Sequence, residues 1–196
     1  LTPALRQTIA LLEDDDRVGS ILITGTGDAF CAGGDVSGMG GRDTQNINAS
    51  ESSTSEKIET LLEKQRSLTL KIHELKKITV AALPGAAAGA GLSKALACDL
   101  RIASQNAFIT TAFVNIGLSG DYGASWFLPR LVGLAKAKEF FYMSDRIGAD
   151  ECARLGVFNK VFPRDSFRED AQIYAAKLAN GPNNALSKMK KNFFLE

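Results

Sequence analysis

The spacing of apolar positions along this chain switches repeatedly between a helical period and the short continuous runs of buried strands. Thr2 and Pro3 suit the N-cap and first position of a helix whose apolar stripe is Leu5, Ile9 and Leu12. Asp14-Asp15-Asp16 ends that helix, and the β-branched run over residues 20–24 predicts a short buried strand. Ile58, Leu61, Leu62, Leu68, Ile72 and Leu75 then fall on one stripe of a long helix. A second apolar strand starts at Ile78, followed by a glycine turn, a small-residue helix over 92–98 and a strand over 100–102. Further on, 108–111 is β-rich and 117–123 is rich in turn residues. Helical patterns cover 124–131, 135–143, 149–155 and 167–179, with a strand over 157–162 between the last two. Strands alternating with helices make the class α/β, and no fixed-period repeat is visible.

One stretch breaks the pattern. Residues 36–55 are Gly, Ser, Thr, Asn and Asp with almost no large apolar side chain, which predicts a flexible loop, either a lid over a site or a surface insertion. The rest of the 196 residues suits one domain with a substantial core. A formal charge of +1, with both signs spread along the chain, offers no stripe for nucleic acid. Cys31, Cys98 and Cys152 are widely spaced, which argues against a disulfide framework or a zinc site and fits a reducing, cytoplasmic setting. No apolar run approaches the roughly 18 residues of a membrane span, and no signal peptide is evident. The chain begins directly in a helical pattern, as part of a longer polypeptide would.

Two glycine-rich turns, each after an apolar strand, carry the chemical signal. The first follows residues 21–24 and reads Phe30-Cys31-Ala32-Gly33-Gly34-Asp35. The second follows residues 78–83 and reads Pro84-Gly85-Ala86-Ala87-Ala88-Gly89-Ala90-Gly91. Glycines let backbone N–H groups approach a ligand closely. Two such turns side by side can aim one N–H each at a single oxygen, an oxyanion hole. Either turn alone can equally be a plain chain reversal. Neither has GxGxxG spacing or a Walker lysine-serine pair, so the nucleotide readings are weak. The second turn opens a helix whose N-terminal amides favour a developing oxyanion.

These segments, with Ala97-Cys98-Asp99-Leu100-Arg101-Ile102-Ala103, Ile116-Gly117-Leu118, Leu128-Pro129-Arg130-Leu131-Val132-Gly133, Ala149-Asp150-Glu151 and Leu155-Gly156-Val157, resemble the crotonase superfamily, the enoyl-CoA hydratase/isomerase group. The resemblance runs in order along nearly the whole chain. It implies a ClpP/crotonase-type spiral of repeated β-β-α units with flanking helices, as one domain over 1–196. The family's first hairpin would lie before Leu1 and its last helices beyond Glu196. It further implies an acyl-CoA thioester substrate, no cofactor other than the coenzyme A of that substrate, no metal, and a homotrimer or dimer of trimers. By motif position the thioester oxygen would accept hydrogen bonds from the N–H groups of Gly34 and Ala90, each worth roughly 3–4 kcal/mol in the transition state. Asp35 would order the first turn.

The acid/base side chains depart from the family pattern. Hydratases of the family use two glutamates; their positions fall here on Ser93 and near Ala112-Phe113, none of them acidic. Asp121, in Ser119-Gly120-Asp121-Tyr122-Gly123, stands where branches resembling enoyl-CoA isomerases, the ring-epoxide isomerase of phenylacetyl-CoA breakdown and aryl-CoA dehalogenases carry a catalytic aspartate. A helix-capping role for Asp121 is the alternative. One carboxylate suits a proton shuttle in a double-bond isomerisation, provided an apolar pocket raises its pKa; Phe113, Trp126 and Phe127 are the candidate walls, or else simple core. The rival readings are a hydratase with non-standard acid/base groups, a dehalogenase-like enzyme with Asp121 as nucleophile, and a non-catalytic acyl-CoA- or RNA-binding relative. His73, amid Lys71, Glu74 and Lys76, reads as a solvated surface residue, and Lys188, Lys190 and Lys191 as a solvated helix face or a contact for CoA phosphates.

Overall fold

The computed structural model of the protein describes residues 2–34, 54–120 and 122–193. In chain order these form α1 (Thr2–Asp14), β1 (Ser20–Thr24), β2 (Ala29–Cys31), α2 (Thr54–Gln65), a π-helical turn (Arg66–Leu70) and α3 (Lys71–Glu74). Then come β3 (Ile78–Leu83), β4 (Ala86–Ala88), α4 (Ala90–Leu96), β5 (Leu100–Ser104), β6 (Phe108–Thr110) and a 3-10 turn (Val114–Ile116). The rest is α5 (Ala124–Val132), α6 (Leu134–Met143), β7 (Ile147–Gly148), α7 (Ala149–Arg154), β8 (Lys160–Phe162), α8 (Phe167–Ala179) and α9 (Asn183–Asn192).

The strands divide between two sheets, ordered β1-β3-β5-β8 and β2-β4-β6-β7. The first sheet is parallel throughout, and β2-β4-β6 is parallel in the second, with β7 antiparallel to β6. Each of the pairs β1-β2, β3-β4 and β5-β6 therefore gives one strand to each sheet before helices carry the chain onward, and α7 separates β7 in the second sheet from β8 in the first. That is the expected β-β-α spiral. Parallel neighbours require such crossovers, because a tight hairpin can join only antiparallel strands.

The strand period explains the core. Along β3, Ala81 and Leu83 face a cluster with Ile109, Leu92, Phe113 and Leu128. Val80 and Ala82 face the opposite side, where Ile102, Phe162, Phe167 and Ala171 pack under α8. With both faces covered, β3 reads as one apolar run rather than an alternation, as buried parallel strands do. The Ser20 hydroxyl donates to the Ala175 carbonyl at 3.0 Å, tying β1 to α8.

A polar knot closes one end of the first sheet. Asp99 Oδ2 accepts from Thr79 N at 2.7 Å, Thr79 Oγ1 at 2.9 Å and Lys190 Nζ at 2.8 Å. Lys190 also donates to the Lys77 carbonyl at 3.3 Å, so α9 is fastened to the starts of β3 and β5. This corrects the solvated-face expectation, because Lys190 is only 5% exposed. On α9 the helical phase turns Lys190 inward while its neighbour Met189 stays exposed.

The long helical stripe also differs from expectation. Leu68, Ile72 and Leu75 are buried, but Ile58, Leu61 and Leu62 are exposed. The π-helical turn between them inserts extra residues into the helical repeat, so positions aligned on a continuous 3.6-residue helix no longer share a face.

Replacing Lys190 by Met leaves the Asp99 carboxylate without its buried cation. The expected loss is about 3 kcal/mol of unfolding free energy, read from urea denaturation, and a loss below about 1 kcal/mol would show that the Thr79 donors suffice.

Candidate active site

The two glycine turns meet because β2 and β4 pair in parallel, Ala29 opposite Ala86 and Cys31 opposite Ala87. Backbone packs on backbone there. A Cβ on Gly85 would lie 2.0 Å from the Asp28 carbonyl oxygen, and one on Gly91 would lie 2.1 Å from the Cys31 oxygen. Gly33 has φ +108°, and a Cβ there would lie 3.2 Å from the Ala88 oxygen and 4.0 Å from the Ala90 nitrogen. The peptide leading into Gly34 is thus set beside the start of α4. Arg168 reaches over from α8 to the first strand connection, donating to the Thr26 and Gly27 carbonyls at 2.9 and 3.0 Å.

At the second turn Gly89 adopts φ 49°, ψ −126°, a conformation open to glycine alone. Its N–H donates to the Thr110 carbonyl at 3.2 Å, and its carbonyl accepts from Ser93 N at 3.1 Å. The next amide, Ala90, opens α4, where first-turn N–H groups have no partner within the helix. Gly34 and Ala90, the expected donor pair, therefore sit on adjoining turns. Asp35 and residues 36–53 of the expected loop lie outside the described residues.

Ser93 is fully buried, and its hydroxyl donates back to the Gly89 carbonyl at 3.3 Å. The side chain at the first glutamate position thus braces the turn. Near the second, Ala112 takes φ 57° and Phe113 is buried, stacked on Phe141 at 6.1 Å between ring centroids. The Phe113 ring bridges the two halves of the site. It lies 3.7 Å from where a Gly89 Cβ would be and 3.6 Å from where a Gly120 Cβ would be. Asp121 itself lies outside the described residues, but its neighbours Gly120 (φ +108°), Tyr122 (φ 51°) and Gly123 (φ +82°) are all left-handed. The N-cap of α5 is Gly123, with no side-chain hydrogen bond, so the capping position expected of Asp121 belongs to glycine.

Trp126 and Phe127 lie elsewhere than Phe113. They line a cavity of about 1040 Å³ between α3, α5 and α9, whose wall includes no residue of the two glycine turns. His73 enters this cavity too, edge-on to Trp126 and Phe127 at 5.2 and 5.1 Å, and Arg130 lies over the Trp126 ring at 3.7 Å. The solvated reading of His73 is corrected: its helix turns it against the α5 aromatics, a contact between segments far apart in sequence. Burial, then the Lys190 charge, hold its imidazole below the ordinary histidine pKa, against the weaker opposing pull of Asp99 and Glu74.

A contact with no sequence signal joins the two turns from below. Lys94 Nζ on α4 donates to Cys31 Sγ on β2 at 3.2 Å, and the Cys31 thiol donates to the Gly33 carbonyl at 3.8 Å. No helix among the described residues is long and apolar enough to cross a membrane.

The enoyl-CoA hydratase/isomerase family model matches residues 1–195. A probable enoyl-CoA hydratase of Rhodobacter capsulatus is 39% identical, the match covering 98% of this chain and 72% of that protein. The 4-chlorobenzoyl coenzyme A dehalogenase-1 of an Arthrobacter species is 34% identical, over 88% of this chain and 60% of its own. The 1,2-epoxyphenylacetyl-CoA isomerase of Escherichia coli is 29% identical, over 95% and 69%. Among solved structures, an enoyl-CoA hydratase from Polaromonas superposes with a TM-score of 0.84 at 32% identity, covering 97% of this chain and 71% of that one. The chain thus spans well under the full length of these relatives.

Two outcomes follow from this geometry. Gly91→Ala forces a methyl into the Cys31 carbonyl and should cost about 1–3 kcal/mol, with β2 displaced from α4; an unchanged urea midpoint would contradict the close approach. Because the folded His73 pKa lies below the unfolded value of 6.5, the unfolded state binds the proton first, so its share of stability is present above pH 6.5 and lost as pH falls through the folded value. Urea midpoints should therefore decline less below pH 6.5 in His73→Phe than in the unsubstituted protein, and parallel profiles would count against it.

Proposed function

Because the chain belongs to the enoyl-CoA hydratase/isomerase family, we propose that it acts on an acyl-CoA thioester, holding the enolate oxygen between the Gly34 and Ala90 amides. The observation that carries this reading is the approach of the two turns, with Gly33, at φ +108°, set so that a Cβ there would lie a tight 3.2 Å from the Ala88 oxygen and 4.0 Å from the Ala90 nitrogen. Backbone donors fixed in this way need no reorganisation as charge develops on the oxygen, and each contributes roughly 3–4 kcal/mol to the transition state.

The proposed reaction is double-bond isomerisation, with Asp121 as the single proton carrier. Ser93 and Phe113 offer no carboxylate, and the Ser93 hydroxyl is engaged with the Gly89 carbonyl. In the sequence Asp121 follows Gly120, and Gly120 packs on the same Phe113 ring as Gly89. It would take a proton from the carbon next to the thioester carbonyl and return it two carbons further along the chain, while the dienolate oxygen stays in the hole. The apolar Phe113–Phe141 stack lies beside Gly120. Coenzyme A enters only as part of the substrate, and a homotrimer or dimer of trimers is the proposed assembly.

The dehalogenase-like relative supports a second reading, in which the Asp121 carboxylate displaces the halide from the ring of a halogenated aryl-CoA, leaving an aryl ester on the aspartate and free halide. Asp121→Asn in the full-length protein should slow conversion of a 3-enoyl-CoA to its conjugated isomer by about 10²–10⁴-fold, measured by the rise in conjugated-thioester absorbance. Undiminished isomerisation would overturn the assignment. Fast loss of that absorbance with crotonyl-CoA would favour hydration instead, and an aryl ester on Asp121 trapped in a single turnover of a halogenated aryl-CoA would favour the nucleophilic reading.

A further inference from the structure

Cys31 and Lys94 form a thiol–amine pair that the proposed isomerisation does not use. The pair is built by the same packing that joins the turns: β2 presents Cys31, α4 presents Lys94, and Gly91 lets the two backbones touch. Cys31 and Lys94 are both half-buried residues. The other two cysteines are 3% and 0% exposed, and burial pushes each thiol up to about 12, so neither competes as a nucleophile near neutral pH.

We propose that Cys31 and Lys94 relay an acyl group from an acyl-CoA thioester onto the Lys94 amine, making Lys94 a site of self-acylation. The inference rests on the acyl-CoA reading of the adjoining site for its acyl donor. In the first step Cys31 Sγ bonds to the thioester carbonyl carbon, the carbon–sulfur bond to coenzyme A breaks, and the thiol proton leaves with the coenzyme A thiol. In the second, Lys94, having given one proton to solvent, bonds through Nζ to the same carbon. The carbon–Sγ bond breaks, and a second nitrogen proton restores the Cys31 thiol. The net change is acyl-CoA plus a lysine ammonium giving an acyl-lysine amide, coenzyme A and a proton, with nothing oxidised or reduced.

Geometry favours the second step. Nζ stands 3.2 Å from Sγ, so a carbonyl carbon one bond beyond that sulfur, turned toward Lys94, is within reach of attack by the amine. A surface lysine without a neighbouring thiol has only the slow bimolecular route. The pair also touches the oxyanion turn: the Gly33 carbonyl that the Cys31 thiol contacts belongs to the same peptide as the Gly34 N–H. An acyl group fixed here bears on the peptide that presents that donor.

Butyryl-CoA is a suitable probe because its saturated chain has no double bond to hydrate or isomerise. After incubation of the protein with butyryl-CoA, peptide mass spectrometry should find a butyryl amide on Lys94. In Cys31→Ala that amide should fall by at least about tenfold, and in Lys94→Met a hydroxylamine-labile butyryl thioester should accumulate on Cys31. Equal Lys94 labelling in Cys31→Ala overturns the relay, as does a wild-type protein with neither adduct or with the thioester alone. Butyryl-CoA binding is measured in parallel by calorimetry: binding without any adduct overturns this inference and leaves the acyl-CoA site standing, whereas failure of any acyl-CoA to bind overturns the site reading itself.

Discussion

The arrangement of this molecule depends on a steric constraint: at Gly85 and Gly91 there is no room for a side chain. Carbonyl oxygens of the first glycine-turn segment occupy the space that a Cβ would need, 2.0 and 2.1 Å away. Through these contacts β2 lies against β4 and α4, and the spiral's first repeat is locked to its second. The parallel ladder fixes the register along the strands, Cys31 opposite Ala87, but hydrogen bonds alone would leave α4 free to stand off. Glycine removes the stand-off. What the fold gains is a pair of turns whose relative position is set by main-chain packing rather than by side-chain choice.

That division of labour has a chemical consequence. Where the donors are backbone amides on rigid elements, the side chains around them are free to vary without dismantling the hole. Ser93 illustrates the point. A residue at a position that carries a carboxylate in the hydratases resembled here can be a serine, because its hydroxyl returns to the Gly89 carbonyl and supports the turn instead. The similar proteins carry the names of a hydratase, a dehalogenase and an epoxide isomerase, so one fold is shared by proteins named for different reactions.

Much of this was legible in the chain before any coordinates. The buried parallel strands announce themselves as apolar runs over Ile78–Leu83 and Ser20–Thr24, and α8 falls on Phe167–Ala179 as its helical pattern predicts. The glycine turns are visible because φ > 0 and close backbone approach leave few other residues possible. What the sequence hides are contacts made by polar side chains between distant segments. Lys190 looks like one of several solvated lysines until Asp99, 91 residues upstream, is seen beneath it with Thr79 on the same carboxylate. His73 sits among charges in sequence and among aromatic rings in space. The exposed stripe of α2 is a failure of a different kind: periodicity assumes an unbroken helix, and the π-helical turn at Arg66–Leu70 shifts the phase midway.

The aromatic residues show why reaction type is harder to read than fold. Phe113, Trp126 and Phe127 are equivalent as apolar letters in the sequence, yet only Phe113 touches both the Gly89 turn and the Gly120 turn. Trp126 and Phe127 face His73 and α9 instead. The difference comes from backbone conformation between them, where Gly117, Gly120, Tyr122 and Gly123 all take positive φ and reverse the chain before α5 begins. Such a run is costly for Tyr122, which has a Cβ, and persists only where packing over-determines it; Tyr122 is held against the main core. On the proposed reading that strain serves the placement of Asp121: a proton carrier must be fixed against a substrate whose oxygen is already fixed, and a turn bent by glycines and anchored through Phe113 to the oxyanion loop sets the two relative to one another. On that same reading, the glycines at the first site would remove side chains so that amides can approach the oxygen, and those at the second would bend the chain for a single carboxylate.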